Sequence, residues 1–83
     1  MYTVYIIQSE VSGKYYVGCT NDLGRRLREH VGGKSKYTRS DTHWKLKYKE
    51  EYPELSLARK RERQIKSWKS RKAIERLIHG PIV

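Results

Sequence analysis

Two residues four positions apart, Arg26 and His30, could together bind an anion or move a proton. They lie in a segment with helical periodicity, so their side chains share one side of the helix. The predicted apolar stripe of that helix consists of Leu23, Leu27 and Val31, with His30 at its edge and Arg26 a little beyond. Such a pair is costly there unless an anionic or polar group meets it. The alternative is structural: an arginine that reaches water, and a histidine that bonds a backbone carbonyl.

Glu62 is the second residue that departs from a purely structural pattern. It lies four residues after Ala58 and three before Ile65, so it borders the buried stripe of a later predicted helix. A carboxylate in that place could bind a hard metal ion, because hard cations prefer carboxylate oxygen. The competing interpretation is an ion pair with Lys66 one turn later, which stabilises a helix by about 0.3–0.5 kcal/mol. The spacing alone favours the ion pair.

Tyrosine is the third unusual feature, because the chain has seven Tyr and no Phe. Tyr5 lies in the middle of a predicted strand, on the face shared with Thr3 and Ile7. Tyr16 shares a face with Gly18 in the next strand. A core that needed only bulk could use Phe, so the hydroxyl groups are candidates for chemistry. The alternative is that a thin core uses Tyr because its oxygen can reach water.

The whole chain is strongly basic. It has 83 residues, with 19 Lys plus Arg against 9 Asp plus Glu, and a net charge of +10. This charge indicates a polyanionic partner, nucleic acid before an anionic membrane surface, and excludes an acidic protein. The length predicts one domain over residues 1–83. The single cysteine, Cys19, excludes an internal disulfide, and no apolar run is long enough for a signal peptide or membrane helix. A cytoplasmic protein is therefore expected.

The elements that must position the candidate residues begin with a β-hairpin. Two short segments rich in β-branched and aromatic residues, 2–7 and 15–19, flank a turn signal at 12–13. Polar residues 20–22 then predict the cap of a helix that ends at the glycines 32–33. The two strands would place Tyr5 and Tyr16 in one hairpin, directly before the helix that carries the Arg–His pair.

A third strand is predicted after a polar loop at 34–42. Residues 43–52 alternate, so Trp44, Leu46 and Tyr48 are predicted to share one face and the lysines the other. Two amphipathic helices are then predicted, one containing Leu57, Ala58, Ile65 and Trp68, and one from the cap Ser70 to Gly80-Pro81. The order β-β-α-β-α-α indicates an α+β fold: a small three-stranded, mainly antiparallel sheet flanked by helices.

Four segments of the chain, in this order and spacing, resemble the GIY-YIG nuclease family over nearly the whole length. They are Thr3-Val4-Tyr5, Tyr16-Val17-Gly18, the helix segment 22–30 and Ala58-Arg59-Lys60-Arg61-Glu62. Residues 36–39 and 61–68 are similar to the small stand-alone bacterial members, which consist of a single nuclease module. Three positions depart from the pattern: Thr3 replaces a glycine of the first motif, Cys19 replaces a lysine found in some relatives, and Gly24 lies in the first turns of the helix. The family's later asparagine has no clear counterpart near residues 73–79.

The resemblance implies a divalent-metal-dependent endonuclease that hydrolyses DNA phosphodiesters, with single-stranded and branched DNA as candidate substrates. Glu62 would bind Mg²⁺, with Mn²⁺ as a substitute. Tyr5 would take a proton from the attacking water, Tyr16 would orient that water or the phosphate, and Arg26 would hold the scissile phosphate. His30 would support the base or hydrogen-bond the phosphate. Because a free tyrosine has a pKa near 10, His30 is also an alternative base.

Candidate nucleic-acid contacts lie in the two basic stretches. They are Lys36, Tyr37 and Arg39 in the loop, and Lys66 in the second helix. DNA is thus the expected partner, and no membrane partner is expected. One alternative is a nucleic-acid-binding module without cleavage, in which lysines contact phosphates and aromatic rings contact bases. Another is a protein-interaction domain whose charge only keeps it solvated.

Overall fold

The computed structural model describes residues 1–32 and 43–80 as an α+β fold of three strands and three helices. The elements are β1 (Tyr2–Ser9), β2 (Tyr15–Thr20), α1 (Leu23–Val31), β3 (Trp44–Tyr52), α2 (Leu55–Ser67) and α3 (Arg71–His79). This confirms the predicted order and fold class. The sheet is antiparallel with strand order β2-β1-β3, so the first strand of the chain is the central one. The predicted loop at 34–42 lies outside the described residues.

Local side-chain hydrogen bonds shape the hairpin turn and the helix starts. The Ser9 hydroxyl accepts hydrogen bonds from the backbone N–H groups of residues 11 and 12, at 3.1 and 3.0 Å. Gly13 completes the turn with a φ of 76°, which glycine adopts without a steric penalty. Asp22 caps α1 and Ser70 caps α3, each accepting a hydrogen bond from the N–H three residues later. The predicted turn and both caps are confirmed.

The hairpin register places the two candidate tyrosines on one face of the sheet. Tyr5 lies opposite Gly18, and Ile7 lies opposite Tyr16. Side chains of directly opposed residues point to the same side, and so do residues two apart in one strand. Tyr5 and Tyr16 are therefore close diagonal neighbours, which the pairing register adds to the alternation seen within each strand.

A β-bulge in β3 overturns the predicted common face of Trp44, Leu46 and Tyr48. Ile6 of β1 lies opposite Tyr48, but the next residue of β1 lies opposite Leu46, so Lys47 is an extra residue in β3. Successive residues of β1 point to opposite faces, and their partners in β3 do the same. Leu46 and Tyr48 thus lie on opposite faces, because one inserted residue reverses the alternation beyond it.

The apolar core lies on the face of the sheet that packs against α2. Val4, Ile6 and Val17 from the hairpin meet Ala58 and Ile65 of α2, and all five are buried. Side chains of α3 pack partly against the same cluster. Helix α1 packs on the opposite face of the sheet, to which Tyr5 of β1 points.

Helix α1 presents a more polar surface to the sheet than its sequence predicts. Its fully buried residue is His30, whereas Val31 is 49% exposed. Leu23, Arg26 and Leu27 are partly buried, and with His30 they follow the i, i+3, i+4, i+7 spacing of one helical face. The predicted stripe was therefore wrong at Val31. The helix is rotated so that the Arg–His pair, and not the valine, faces the sheet.

Helix α2 is anchored to β3 by a charged hydrogen-bond network. The Arg61 guanidinium donates to both carboxylate oxygens of Glu50, at 2.9 and 3.1 Å. The hydroxyls of Tyr48 and Tyr52 donate to the same carboxylate. Burial raises the pKa of Glu50, but the hydrogen bonds outweigh it and hold that pKa below its usual range. Because neighbouring helical residues point about 100° apart, this anchor also sets the direction of the next side chain, Glu62.

Candidate active site

A buried chain of hydrogen bonds joins three of the predicted residues. The Tyr5 hydroxyl lies 2.9 Å from His30 Nε2, and Arg26 Nε donates to the same hydroxyl at 3.4 Å. Tyr5 and His30 are 1% and 0% exposed. An arginine can only donate, so the phenol oxygen accepts from Arg26 while its own hydrogen is available to His30. The geometry thus orders the chain as Arg26 to Tyr5 to His30.

Tyr16 extends this cluster toward solvent. Its ring centroid lies 5.0 Å from that of His30 and 6.4 Å from that of Tyr5. A hydrogen-bond interaction with Tyr16 also contributes to the charged state of Arg26. Tyr16 is half-buried, and the Arg26 side chain is 29% exposed and paired with Glu29 at 3.1 Å. A ligand would therefore meet Tyr16 and Arg26 before it met the buried pair behind them.

Gly18 is a site residue whose role the sequence did not reveal beyond its place in a motif. A Cβ atom built on Gly18 would lie 2.4 Å from the Tyr5 hydroxyl oxygen and 2.5 Å from Cζ. Both distances are far below van der Waals contact. The absence of a side chain at position 18 is what lets the phenol cross the neighbouring strand. The available signal was the hairpin register, which places Gly18 directly opposite Tyr5.

Replacing Gly18→Ala is expected to destabilise the fold by about 1–3 kcal/mol, the usual cost of overpacking. The phenol has no free space to retreat into, because it is buried and hydrogen-bonded at its tip. Urea unfolding of Gly18→Ala, of Tyr5→Ala and of the double variant Gly18→Ala/Tyr5→Ala would measure the effect on the free energy of unfolding. The double variant should be more stable than the sum of the single changes predicts, since removing the ring removes the clash. Additive losses would show that the clash is relieved elsewhere.

The electrostatics keep one member of the chain charged and two neutral at pH 7. Burial raises the pKa of Tyr5 to about 12. Burial, and then the charge of Arg26, lower the pKa of His30 to about 4. Burial acts against the charge of Arg26, but its hydrogen bonds to Tyr5 and Glu29 raise its pKa overall. The site thus presents a permanent cation backed by a phenol and a neutral imidazole.

The low pKa of His30 predicts a loss of stability in mild acid. The unfolded chain binds this proton with a pKa near 6.5, whereas the folded protein binds it near 4. Stability is therefore full above pH 6.5 and decreases as the pH is lowered toward 4, by an amount on the order of 3 kcal/mol. Urea unfolding between pH 7 and 4 should show this loss for the natural chain and for His79→Gln, but not for His30→Gln. Parallel curves for all three would contradict it.

Glu62 approaches the same cluster from α2. Its carboxylate is 15% exposed and accepts a hydrogen bond from Lys66 Nζ at 2.9 Å, so the predicted ion pair is present. The negative charge of Glu62 contributes to the raised pKa values of Tyr5 and Cys19, behind the larger effect of burial. Glu62 is thus within electrostatic reach of the tyrosine while it is held by a lysine.

The donor chemistry near Glu62 suits a magnesium ion that keeps most of its waters. Within residues 1–32 and 43–80, no group of three His, Cys, Asp or Glu side chains converges to hold a metal. A cation at Glu62 would therefore take one carboxylate from this part of the chain and its other ligands from water and phosphate. Mg²⁺ accepts such a site, whereas structural zinc requires four protein ligands. Lys66 would compete with the ion for the carboxylate.

The predicted site residues divide into three groups. Tyr5, Tyr16, Arg26 and His30 form one cluster, Glu62 and Lys66 form an adjacent ion pair, and Lys36, Tyr37 and Arg39 lie outside the described residues.

In the described ranges, no helix has both the length and the apolar character needed to cross a membrane.

Comparison with known proteins agrees with this fold and cluster. A family model described as the GIY-YIG catalytic domain matches residues 1–75. The chain therefore belongs to the GIY-YIG family, a family of nucleases.

The similar full-length proteins are small members of that family named UPF0213. One from Halobacterium salinarum is 42% identical over 67 residues, covering 80% of this chain and 86% of its own. One from Staphylococcus epidermidis is 33% identical over 78 residues, covering 93% and 94%. The solution NMR structure of the UPF0213 protein from Bacillus halodurans matches with a TM-score of 0.60 and 33% identity. That match covers 95% of this chain and 84% of the other.

Proposed function

We propose that this protein is a Mg²⁺-dependent endonuclease that hydrolyses phosphodiester bonds in DNA, in the cytoplasm. The observation that carries the proposal is the buried chain in which Arg26 donates to Tyr5 and Tyr5 lies against His30. Tyr5 and His30 are fully buried beside the partly buried Arg26. Burying ionisable groups is costly, so a purely structural domain has little reason to keep these three beside a carboxylate. A net charge of +10 on 83 residues favours a nucleic-acid substrate.

The proton of the attacking water passes through Tyr5. With a pKa of about 12, Tyr5 is not a phenolate at neutral pH, so it must give up its own proton as it accepts one. The water O–H bond breaks and its proton goes to the Tyr5 oxygen, while the tyrosine proton goes to His30 Nε2. The resulting hydroxide attacks phosphorus, and the bond to the leaving oxygen breaks as that oxygen takes a proton from solvent.

His30 therefore supports the base. It lies behind Tyr5 in the hydrogen-bond chain from Arg26, so this geometry favours the supporting role over a hydrogen bond to the phosphate, the other role considered for it. Burial is the larger cause that lowers the pKa of His30, and the charge of Arg26 is the second. A phosphate bound at Arg26 offsets that charge, so substrate binding makes His30 a better proton acceptor.

Arg26 and Tyr16 hold the phosphate. The Arg26 guanidinium is partly exposed, and its Nη1 donates to Glu29. A phosphate oxygen takes over such donors and is held more strongly as negative charge increases in the transition state. Tyr16 borders the same opening and orients the water or the phosphate. A divalent ion bound by Glu62 would lower the pKa of a bound water and offset the phosphate charge.

The test is cleavage of end-labelled DNA as single strand, duplex and branched junction, each with Mg²⁺, with Mn²⁺ and with EDTA. Cutting that requires the metal supports the nuclease and identifies its substrate form. A Glu62→Gln variant purified in parallel controls for contaminating nuclease. Binding to every substrate with no cutting in either metal would instead support the binding module.

A further inference from the structure

A basic groove opens beside the candidate active site, between the start of β2 and the junction of α2 with α3. Its volume is about 480 Å³. Four cations line it, Lys14, Lys66, Lys69 and Arg71, over an apolar floor that includes Val17 and Ile74. None of its lining residues in the described part of the chain is acidic. The groove therefore combines a cationic rim with an apolar interior.

The floor of the groove and the cluster of the proposed nuclease lie on opposite faces of the sheet, and the two meet around the edge strand β2. Tyr16 lines the groove and also packs against His30. Lys66 lines it and also contacts Glu62. A strand whose phosphate sits at Arg26 would thus have the groove as its next contact surface along β2.

The walls of the groove are held in place by Arg71. Its Nη1 donates to the Gly13 carbonyl at 3.0 Å, and its guanidinium lies over the Tyr15 ring at 5.1 Å. These contacts tie the start of α3 to the hairpin turn. Lys69, in the turn between α2 and α3, has a φ of 49°, a conformation that Gly or Asn adopts more easily than Lys. A lysine at this position places a cation on the rim at a conformational cost.

The chemistry of the groove fits one unpaired nucleotide. Phosphates would contact Lys14 and Lys69, and the base would cover the apolar floor. Bases in an intact duplex are stacked and paired, so only a single-stranded or displaced base can reach such a floor. Resting on the proposed function, we propose that this groove binds an unpaired nucleotide of the DNA strand that flanks the scissile phosphate.

Binding in EDTA tests the groove without depending on cleavage. The full chain is titrated into fluorescein-labelled oligothymidylate and into a hairpin duplex of equal length, over a range of salt concentrations. The groove variant is Lys14→Gln/Lys69→Asn, in which Asn tolerates the left-handed backbone of position 69. The matched control is Lys47→Gln/Lys72→Asn, which removes the same charge from two exposed lysines outside the groove.

The groove variant should lose both affinity and salt dependence for the single strand. Each lost phosphate contact lowers the slope of log affinity against log salt by about 0.7 for single strands, so the slope should decrease by about 1.4. The control should keep the natural slope, and the duplex should be little affected by either change. Thermal unfolding of each variant identifies any loss of affinity that is caused by misfolding. If the double variant does not fold, the single variant Lys14→Gln, in the hairpin turn directly before β2, is tested in its place.

Other outcomes separate the groove from the nuclease proposal. Equal losses for the two double variants would overturn the groove, even if metal-dependent cleavage is intact. Competition by poly-glutamate as strong as that by oligothymidylate would also overturn it, because the groove would then recognise negative charge alone. Single-strand binding through the groove with no cleavage in any metal would overturn the nuclease and leave a nucleotide-binding groove.

Discussion

Glu62→Gln is expected to lower the rate of Mg²⁺-dependent DNA cleavage by about a thousandfold or more. Glutamine keeps the size of the side chain and can still accept the hydrogen bond that Lys66 donates at 2.9 Å. It lacks the negative charge that a divalent ion requires, and the ion contributes several kcal/mol to transition-state stabilisation. Single-turnover cleavage of labelled DNA measures the effect, and binding in EDTA should not weaken, since the change removes a negative charge from a basic surface.

Glu54→Gln is the matched control for this variant. Glu54 precedes the same helix, is exposed, and its side chain makes no capping hydrogen bond. It should therefore cleave DNA at the natural rate. Undiminished cleavage by Glu62→Gln would show that this carboxylate does not hold the metal, and that the Lys66 ion pair is its whole role.

Tyr5→Phe is expected to slow cleavage by about a hundredfold to ten-thousandfold, the usual contribution of general acid–base catalysis. It should also reduce stability by about 1–3 kcal/mol, because His30 and Arg26 both lose a shared buried partner. Binding to DNA should be retained, since Arg26 keeps its charge. Cleavage rates measured with saturating protein separate the chemical step from binding.

Tyr48→Phe separates the catalytic effect from the structural one. The Tyr48 hydroxyl also donates to a partly buried group, Glu50, but on the opposite face of the sheet. This control should lose stability and keep its cleavage rate when fully folded, because Arg61 still anchors α2 to Glu50 and so keeps the direction of Glu62. A Tyr5→Phe enzyme that cleaves within twofold of the natural chain would eliminate the proton path through the phenol, and the proton of the attacking water would then leave by a route that does not include Tyr5.

The local features of the fold could be predicted because their causes lie within a few residues. The caps at Asp22 and Ser70 each depend on one side chain and its immediate backbone, and the turn at Gly13 depends on the backbone freedom of that glycine. Alternation within each strand predicted which residues share a face with Tyr5 and which with Tyr16, but only the register of the two strands brings the tyrosines together. The roles of Arg26 and Glu62 came from motif resemblance, since helical periodicity alone left a structural reading open for each.

Other features could not be predicted because they depend on partners distant in sequence. The bulge at Lys47 exists only in the pairing of β3 with β1, so alternation within β3 misassigned Leu46. The burial of His30 in preference to Val31 follows from hydrogen bonding to a tyrosine 25 residues earlier.

The sequence by itself determined the order of the elements, the basic charge and the residue types of the site. The order of the elements depends on periodicity and capping among neighbouring residues, and the charge and residue types depend on composition, so none of these requires a long-range contact. Tertiary structure alone decided that Gly18 makes room for the Tyr5 phenol. It also decided that Arg61 of α2 binds Glu50 of β3, which fixes the part of α2 that carries Glu62. It also decided that four cations meet around one groove. Such arrangements arise only when separate elements pack, because packing sets which side chains share a space and which pKa values burial shifts.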